Sequence, residues 1–142
     1  LDDNLLHSMQ WNYTPDNNNR WGDKWNLEDF SIFSPDQQDS PSDLNSGGRA
    51  IRGFCRPHFV EVAGVPLRMD FSAKSGDFLF EFEADTAIEG PTVIFVPRIQ
   101  YLQGFDIESS QGSTDHLPDS QLVLVHSEVS GTHRIRLSRR GS

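Results

Sequence analysis

The chain has no run approaching the roughly 18 apolar residues that a membrane-crossing helix needs, so no transmembrane segment is expected. It has one cysteine, Cys55, which excludes an internal disulfide and a zinc site built on several cysteines. Basic residues are few, with 12 Lys and Arg against 21 Asp and Glu and a net charge of −9. A phosphate-backbone partner wants a Lys/Arg patch, so nucleic acid is excluded as a partner. The five histidines (His7, His58, His116, His126, His133) are scattered, and no HExxH pair, GxSxG elbow or GxxxxGK[ST] loop occurs. The chain begins on Leu1 rather than Met and carries no basic-flanked apolar leader, so its N-terminus looks incomplete. Its 142 residues suffice for one domain with a real core.

What is present is concentrated in Trp11 to Phe33, WNYTPDNNNRWGDKWNLEDFSIF, which contains all three tryptophans. Trp11, Tyr13, Trp21 and Trp25 alternate with Asn12, Asp16, Asn17, Asn18, Asn19, Asp23, Asn26, Glu28 and Asp29. Indole faces beside amides and carboxylates suit a sugar, whose C–H faces stack on aromatic rings while its hydroxyls seek donors and acceptors. One such tryptophan would read as a plug over a core. Three among turn-forming residues, without apolar periodicity, read as a ligand-facing loop. The acidity lies here too, because residues 1–46 hold nine acids against two bases (−7) and residues 47–142 twelve against ten (−2).

Residues 34–48 are Ser, Pro, Asp, Asn, Gln and Gly apart from Leu44, and read as an exposed connector. Ala50, Ile51, Phe54 and Cys55 have helical spacing, predicting a short amphipathic helix that stops before Pro57. Cys55 reads there as a small buried hydrophobe rather than a nucleophile. From Phe59 the pattern turns to short strands: FVEVAG, LRMDFSAK, DFLFEFEAD, PTVIFVPRI, FDIESS, LVLVHS and THRIRLSR. Ser75-Gly76-Asp77 reads as a hairpin turn, and the continuous apolar run 91–99 predicts a strand buried on both faces. The phenylalanines at 71, 78, 80, 82 and 95 read as core. The fold expected is mainly β, an antiparallel sandwich.

Asp23, Glu28 and Asp29 hold the carboxylates that an acid/base pair for glycoside cleavage would need, yet their clustering in one acidic loop gives no such geometry. Arg56 and Arg98 read either as partners for loop carboxylates or as solvated charges.

Three stretches in order, LHSMQWNYTPDNNNRWGDKWNLEDFSIFSPD, GGRAIRGFCRPHFVEVAG and FVPRIQYLQGFDIESSQG, resemble the C-terminal part of glycoside hydrolase family 5 enzymes. The branch is that of the fungal β-glucosylceramidases and steryl-β-glucosidases, relatives of the endoglycoceramidases. The likeness runs from about His7 to Gly112, and the final thirty residues match only as sandwich strands. It implies the last βα unit of a (β/α)8 barrel followed by a C-terminal β-sandwich, with residues 1–60 the barrel remnant and 61–142 the sandwich. His7–Asn12 would be the eighth barrel strand, 13–46 its loop on the catalytic face and 47–57 the eighth helix. Trp11 would floor the glucose subsite. Asn12, Tyr13, Asp16, Asn17, Arg20, Trp21, Asp23, Trp25 and Asn26 would line or brace the pocket, and Trp21 and Trp25 equally suit the aglycone.

The family's two catalytic glutamates, at the ends of the fourth and seventh barrel strands, would precede Leu1, so no catalytic residue is assigned. The implied partners are a β-glucoside glycolipid, with ceramide or sterol as aglycone, and the N-terminal barrel portion of the same protein. No metal or organic cofactor is implied. A fragment without the glutamates is expected to be inactive alone. The alternative is a stand-alone glycan- or glycolipid-binding sandwich module.

Overall fold

The computed structural model describes residues 2–43 and 45–141, for Asp3 the backbone only. They form two compact units. Residues 8–54 make one, and the residues up to His7 join those from Cys55 onward in the other.

The second unit is the sandwich. Its strands are β1 (His58–Glu61), β2 (Gly64–Phe71), β3 (Phe78–Ala84), β4 (Thr92–Phe95), β5 (Phe105–Ser109), β6 (Ser113–Leu117), β7 (Leu122–His126) and β8 (Gly131–Arg139). All pairings are antiparallel, in sheets ordered β1-β4-β7-β6 and β2-β3-β8-β5. The period-2 pattern of β3 explains its position at the centre of a sheet. Phe78, Phe80, Phe82 and Ala84 point inward, while Leu79, Glu81 and Glu83 point outward. Opposite them, β8 sends Leu137, Ile135 and His133 inward in register with Phe78, Phe80 and Phe82. The other sheet contributes Ile94, Val123 and Val125. Phe59 of β1 stacks on Phe80 across the sandwich at 5.0 Å, and Phe80 stacks on Phe82 at 5.3 Å.

Polar groups buried in this unit have partners, His133 and Tyr101 among them. His133 donates from Nε2 to the Val129 carbonyl at 2.9 Å, leaving Nδ1 to accept from Ser127 Oγ at 3.2 Å. Tyr101 donates its hydroxyl to the Gly76 carbonyl at 3.0 Å, and burial pushes its phenol above the ordinary range. The same 72–77 turn is held from outside by Arg139, whose guanidinium donates to the carbonyls of Ala73, Lys74 and Gln100. Gly76 sits at φ +82 in that turn, a conformation glycine adopts without strain.

Several expectations need correction. The strand within 91–99 is not buried on both faces. Thr92 and Ile94 are buried, but Val93 and Phe95 face outward and are half-buried, with Phe95 against the His58 ring at 5.3 Å. Strand β6 went unforeseen because STDHL has no apolar alternation; it holds its edge place by backbone pairing with β7. The sandwich also begins before residue 61, since His58–Glu61 already pairs with β4. The helix within 47–57 is a single turn, Ile51–Phe54, and no strand runs over residues 7–12 among the described residues. A strand exists only through a neighbour's ladder, and residues 7–11 have none. Arg56 pairs with Asp2, donates to the Phe71 carbonyl at 3.2 Å and lies over the Phe71 ring; Arg98 donates to the Pro118 carbonyl at 3.2 Å.

Two of the edge strands are protected by irregularity. β2 carries Pro66 and a bulge at Leu67, and β1 carries a bulge at Val60, each of which spoils an extended pairing surface. Phe80→Ala is expected to lower the unfolding free energy by about 3–5 kcal/mol, because it removes a ring stacked on two others. Leu102→Ala, at a 70% exposed position, should change it by less than about 0.5 kcal/mol; the two midpoints in urea check both.

Candidate functional site

Among its described residues, the unit of residues 8–54 buries no large apolar side chain. Its fully buried residues among those described are Asn17, Asp23, Ser31, Ser34 and Gly47. Polar side chains and backbone hydrogen bonds therefore hold the loop, and its aromatic rings are left at the surface.

The loop forms turn by turn. Asn18 Oδ1 accepts from the N–H groups of Arg20 at 3.1 Å and Trp21 at 2.8 Å, an Asx-type turn that reverses the chain. Asn18 and Gly22 then exchange backbone hydrogen bonds at 3.3 and 2.9 Å. Gly22 is obligatory here, because its φ is +61 and a Cβ would lie 2.1 Å from the Glu28 carbonyl oxygen. A second turn spans Trp25–Glu28, closed by Glu28 N–H to the Trp25 carbonyl at 2.8 Å. Asn26 and Leu27 have φ of +46 and +62, the pattern of a type I′ turn. Asn suits it. Leucine in the left-handed region costs about 1–2 kcal/mol.

Asp23 lies at the centre. Its carboxylate accepts from Trp25 N–H at 3.0 Å, Phe30 N–H at 3.3 Å and Asn12 Nδ2 at 3.3 Å. Asn12 also accepts from Thr14 Oγ1 at 3.3 Å, and its backbone pairs with Phe30 and Ile32. The peptide bond between Trp11 and Asn12 is cis. Ser31 ties the two arms together, accepting from the N–H of Thr14 at 3.0 Å and of Phe33 at 3.2 Å.

Each residue singled out in the sequence has a definite place. Trp11 is 76% exposed, and Tyr13, Trp21 and Trp25 are each more than half exposed. Tyr13 also leans on Phe33, with ring centroids 5.7 Å apart. Arg20 lies over the Trp21 ring at 4.7 Å, so one indole face is already occupied. Asp16 is exposed and paired with Lys24. Asn26 is exposed in its turn. Asn12 and Asp23 are braces, their polar atoms used within the loop. Asn17 is wholly buried and neither end of its amide makes a well-formed hydrogen bond, although it lies near enough to Asp29 to help lower that carboxyl.

The carboxylates do not make an acid/base pair. Asp29 is gripped by both terminal nitrogens of Arg49, the longer bond 3.1 Å, and this holds its carboxyl below the ordinary 3.8. Lys24 does the same to Asp16. A general acid needs the opposite shift. Among the described residues no group of three or more His, Cys, Asp and Glu could hold a metal ion. Burial raises the thiol of half-buried Cys55, which lowers its thiolate fraction. Ser31 and Arg49 went unforeseen as loop braces: a lone Ser in FSIF carries no signal, and Arg49 reads as the polar face of a helix.

The sandwich offers a different surface. A cavity of about 550 Å³ opens on the β2-β3-β8-β5 sheet, lined by Asp70, Asp77, Leu79, Glu108 and Arg136 among others. Its aromatic lining residue, Phe78, is buried in the core. The large apolar side chains exposed on the sandwich strands and their turns, such as Val65, Leu67 and Val129, are aliphatic, so no stacking row exists there among the described residues.

Carboxyl NMR titration is expected to place the Asp29 midpoint below 3.8, and Arg49→Ala should move it back up. Because the folded pKa is depressed, the pair supports the loop above the ordinary carboxylate range and is lost as pH falls through the lowered value.

The chain is 32% identical over 114 residues to a glucosylceramidase of Rhizopus delemar, covering 71% of this chain and 17% of that protein. It is 33% identical over 95 residues to endoglycoceramidase I of Rhodococcus hoagii, covering 67% and 19%. The crystal structure of sterylglucosidase 1 from Cryptococcus neoformans superposes with a TM-score of 0.81 at 30% identity, over 93% of this chain and 22% of that one. The chain thus spans about a fifth of the length of each relative. Residues 56–137 match the pattern of the glycoside hydrolase family 5 C-terminal domain, and the chain belongs to that family.

Proposed function

We propose that these residues form the C-terminal part of a retaining β-glycosidase that cleaves the β-glucosidic bond of a glycolipid. In this reading residues 8–54 present a sugar-binding surface and the sandwich buttresses a (β/α)8 barrel supplied by the rest of the protein. The observation that carries it is the exposed aromatic set of Trp11, Tyr13, Trp21 and Trp25 on a frame of hydrogen bonds to the buried Asp23. Rings held this way are pre-organised to stack on a pyranose at little entropic cost. Trp11 supplies the sugar platform, while Asp23 fixes Asn12 and Trp25. Glucosylceramidases and a sterylglucosidase among the relatives support a glucoside joined to a lipid.

The chemistry belongs to groups outside these residues. Double displacement needs one carboxylic acid to protonate the leaving oxygen and one carboxylate to attack the anomeric carbon. The loop's paired carboxylates, Asp16 and Asp29, are tuned away from proton donation. These residues contribute position, holding the anomeric carbon in line for attack.

The whole protein should hydrolyse 4-nitrophenyl β-glucoside with retention, seen by NMR of the first-formed sugar anomer. Trp11→Ala should lower kcat/KM by about 10- to 100-fold through lost stacking and burial. Residues 1–142 alone should show no turnover. Turnover by the 142-residue chain, or an inverted product, would contradict the reading.

A further inference from the structure

We propose that the Trp25–Glu28 turn is a lipid-contact tip, with Leu27 entering the surface of a zwitterionic or neutral bilayer that carries the substrate. This rests on the proposed glycolipid substrate, and four observations lead to it. First, Leu27 is 99% exposed, so its side chain contributes almost nothing to the packing of its own unit. Second, it occupies the second central position of a turn with φ of +46 and +62, where glycine is the natural occupant. The turn therefore tolerates strain to place an aliphatic side chain in solvent. Third, large apolar residues flank it. Trp25 and Phe30 both donate backbone N–H to the buried Asp23 carboxylate, at 3.0 and 3.3 Å, which pins them on either side of the turn. Both rings are more than half exposed. An aliphatic tip with an indole beside it is the composition that settles at a membrane interface, the indole having an apolar body and a polar N–H.

The fourth observation is charge, which selects the surface. Residues 8–54 hold seven acids against four bases, a net −3. Lys24, the basic residue nearest the tip in sequence, is taken up by Asp16. An anionic membrane would repel this unit, whereas a zwitterionic surface or one of neutral glycolipids would not. A lipid-borne glucoside presents its sugar at such a surface, within reach of a loop that carries Trp11 and a lipid-seeking tip together.

The test uses the whole protein that carries this chain and its Leu27→Gly and Leu27→Phe variants. Leu27→Gly suits the turn and should fold at least as stably as the parent, so loss of structure will not confuse the result. Co-sedimentation with phosphatidylcholine vesicles should fall on the order of tenfold in Leu27→Gly, as expected for losing one buried leucine, and be retained in Leu27→Phe. Turnover of glucosylceramide in those vesicles should fall in parallel, while kcat/KM on soluble 4-nitrophenyl β-glucoside stays within about twofold of the parent. Vesicle binding that is absent in the parent or unchanged in Leu27→Gly would overturn the proposal. So would an equal loss on the soluble substrate, which would mean that Leu27 packs against another part of the protein. A parent protein inactive on every β-glucoside would defeat the proposed function, and vesicle sedimentation would still decide the role of Leu27.

Discussion

The unit of residues 8–54 buries no large apolar side chain among its described residues, so its shape depends on the carboxylate of Asp23. That group accepts from two backbone N–H groups and from the Asn12 amide, and thereby joins the segment bearing Trp11 to the turn bearing Trp25. A buried carboxylate is costly unless its lone pairs are filled, and here three donors fill them. The arrangement separates two tasks that the composition mixes together. Inward-facing polar atoms fix the backbone, and outward-facing rings remain available for a ligand.

The sandwich rests on the opposite balance. Phe78, Phe80 and Phe82 face Leu137, Ile135 and His133 across β3 and β8, and the rings of Phe59, Phe80 and Phe82 stack in series. Apolar burial dominates there, and the buried polar groups His133 and Tyr101 each have a backbone carbonyl as partner. Its outer surfaces carry ion pairs such as Glu81–Arg134 and aliphatic side chains rather than exposed rings. Such a surface is suited to support more than to stacking on a sugar, and the exposed indole rings lie in the other unit.

How much was legible follows from which forces are local. The alternation of Phe78, Phe80 and Phe82 announced β3 because a strand's side chains alternate faces residue by residue. Strand β4 was misjudged because Val93 and Phe95 are apolar yet lie on the outer face. β6 was invisible because a polar edge strand needs only its neighbour's backbone. In the loop, the density of Trp and Asn announced a segment without an apolar core, and its tryptophan rings are indeed exposed. Which polar residues turn inward was not readable. Asp23 and Asp29 are both acids in one short stretch, yet one is buried by donors from positions 12, 25 and 30 and the other is gripped by Arg49. Pairing across such separations leaves no local periodicity to find.

The central claim is that Trp11 offers its exposed face to a sugar while Asp23 serves as a brace. A crystal structure of the whole protein with a glucose-configured inhibitor tests it most directly. The account predicts the pyranose C–H face against the Trp11 indole, with the Asp23 carboxylate still bonded to Asn12, Trp25 and Phe30 and making no contact with the sugar. A sugar seated away from Trp11, or one bonded to Asp23 with those bonds broken, would contradict it.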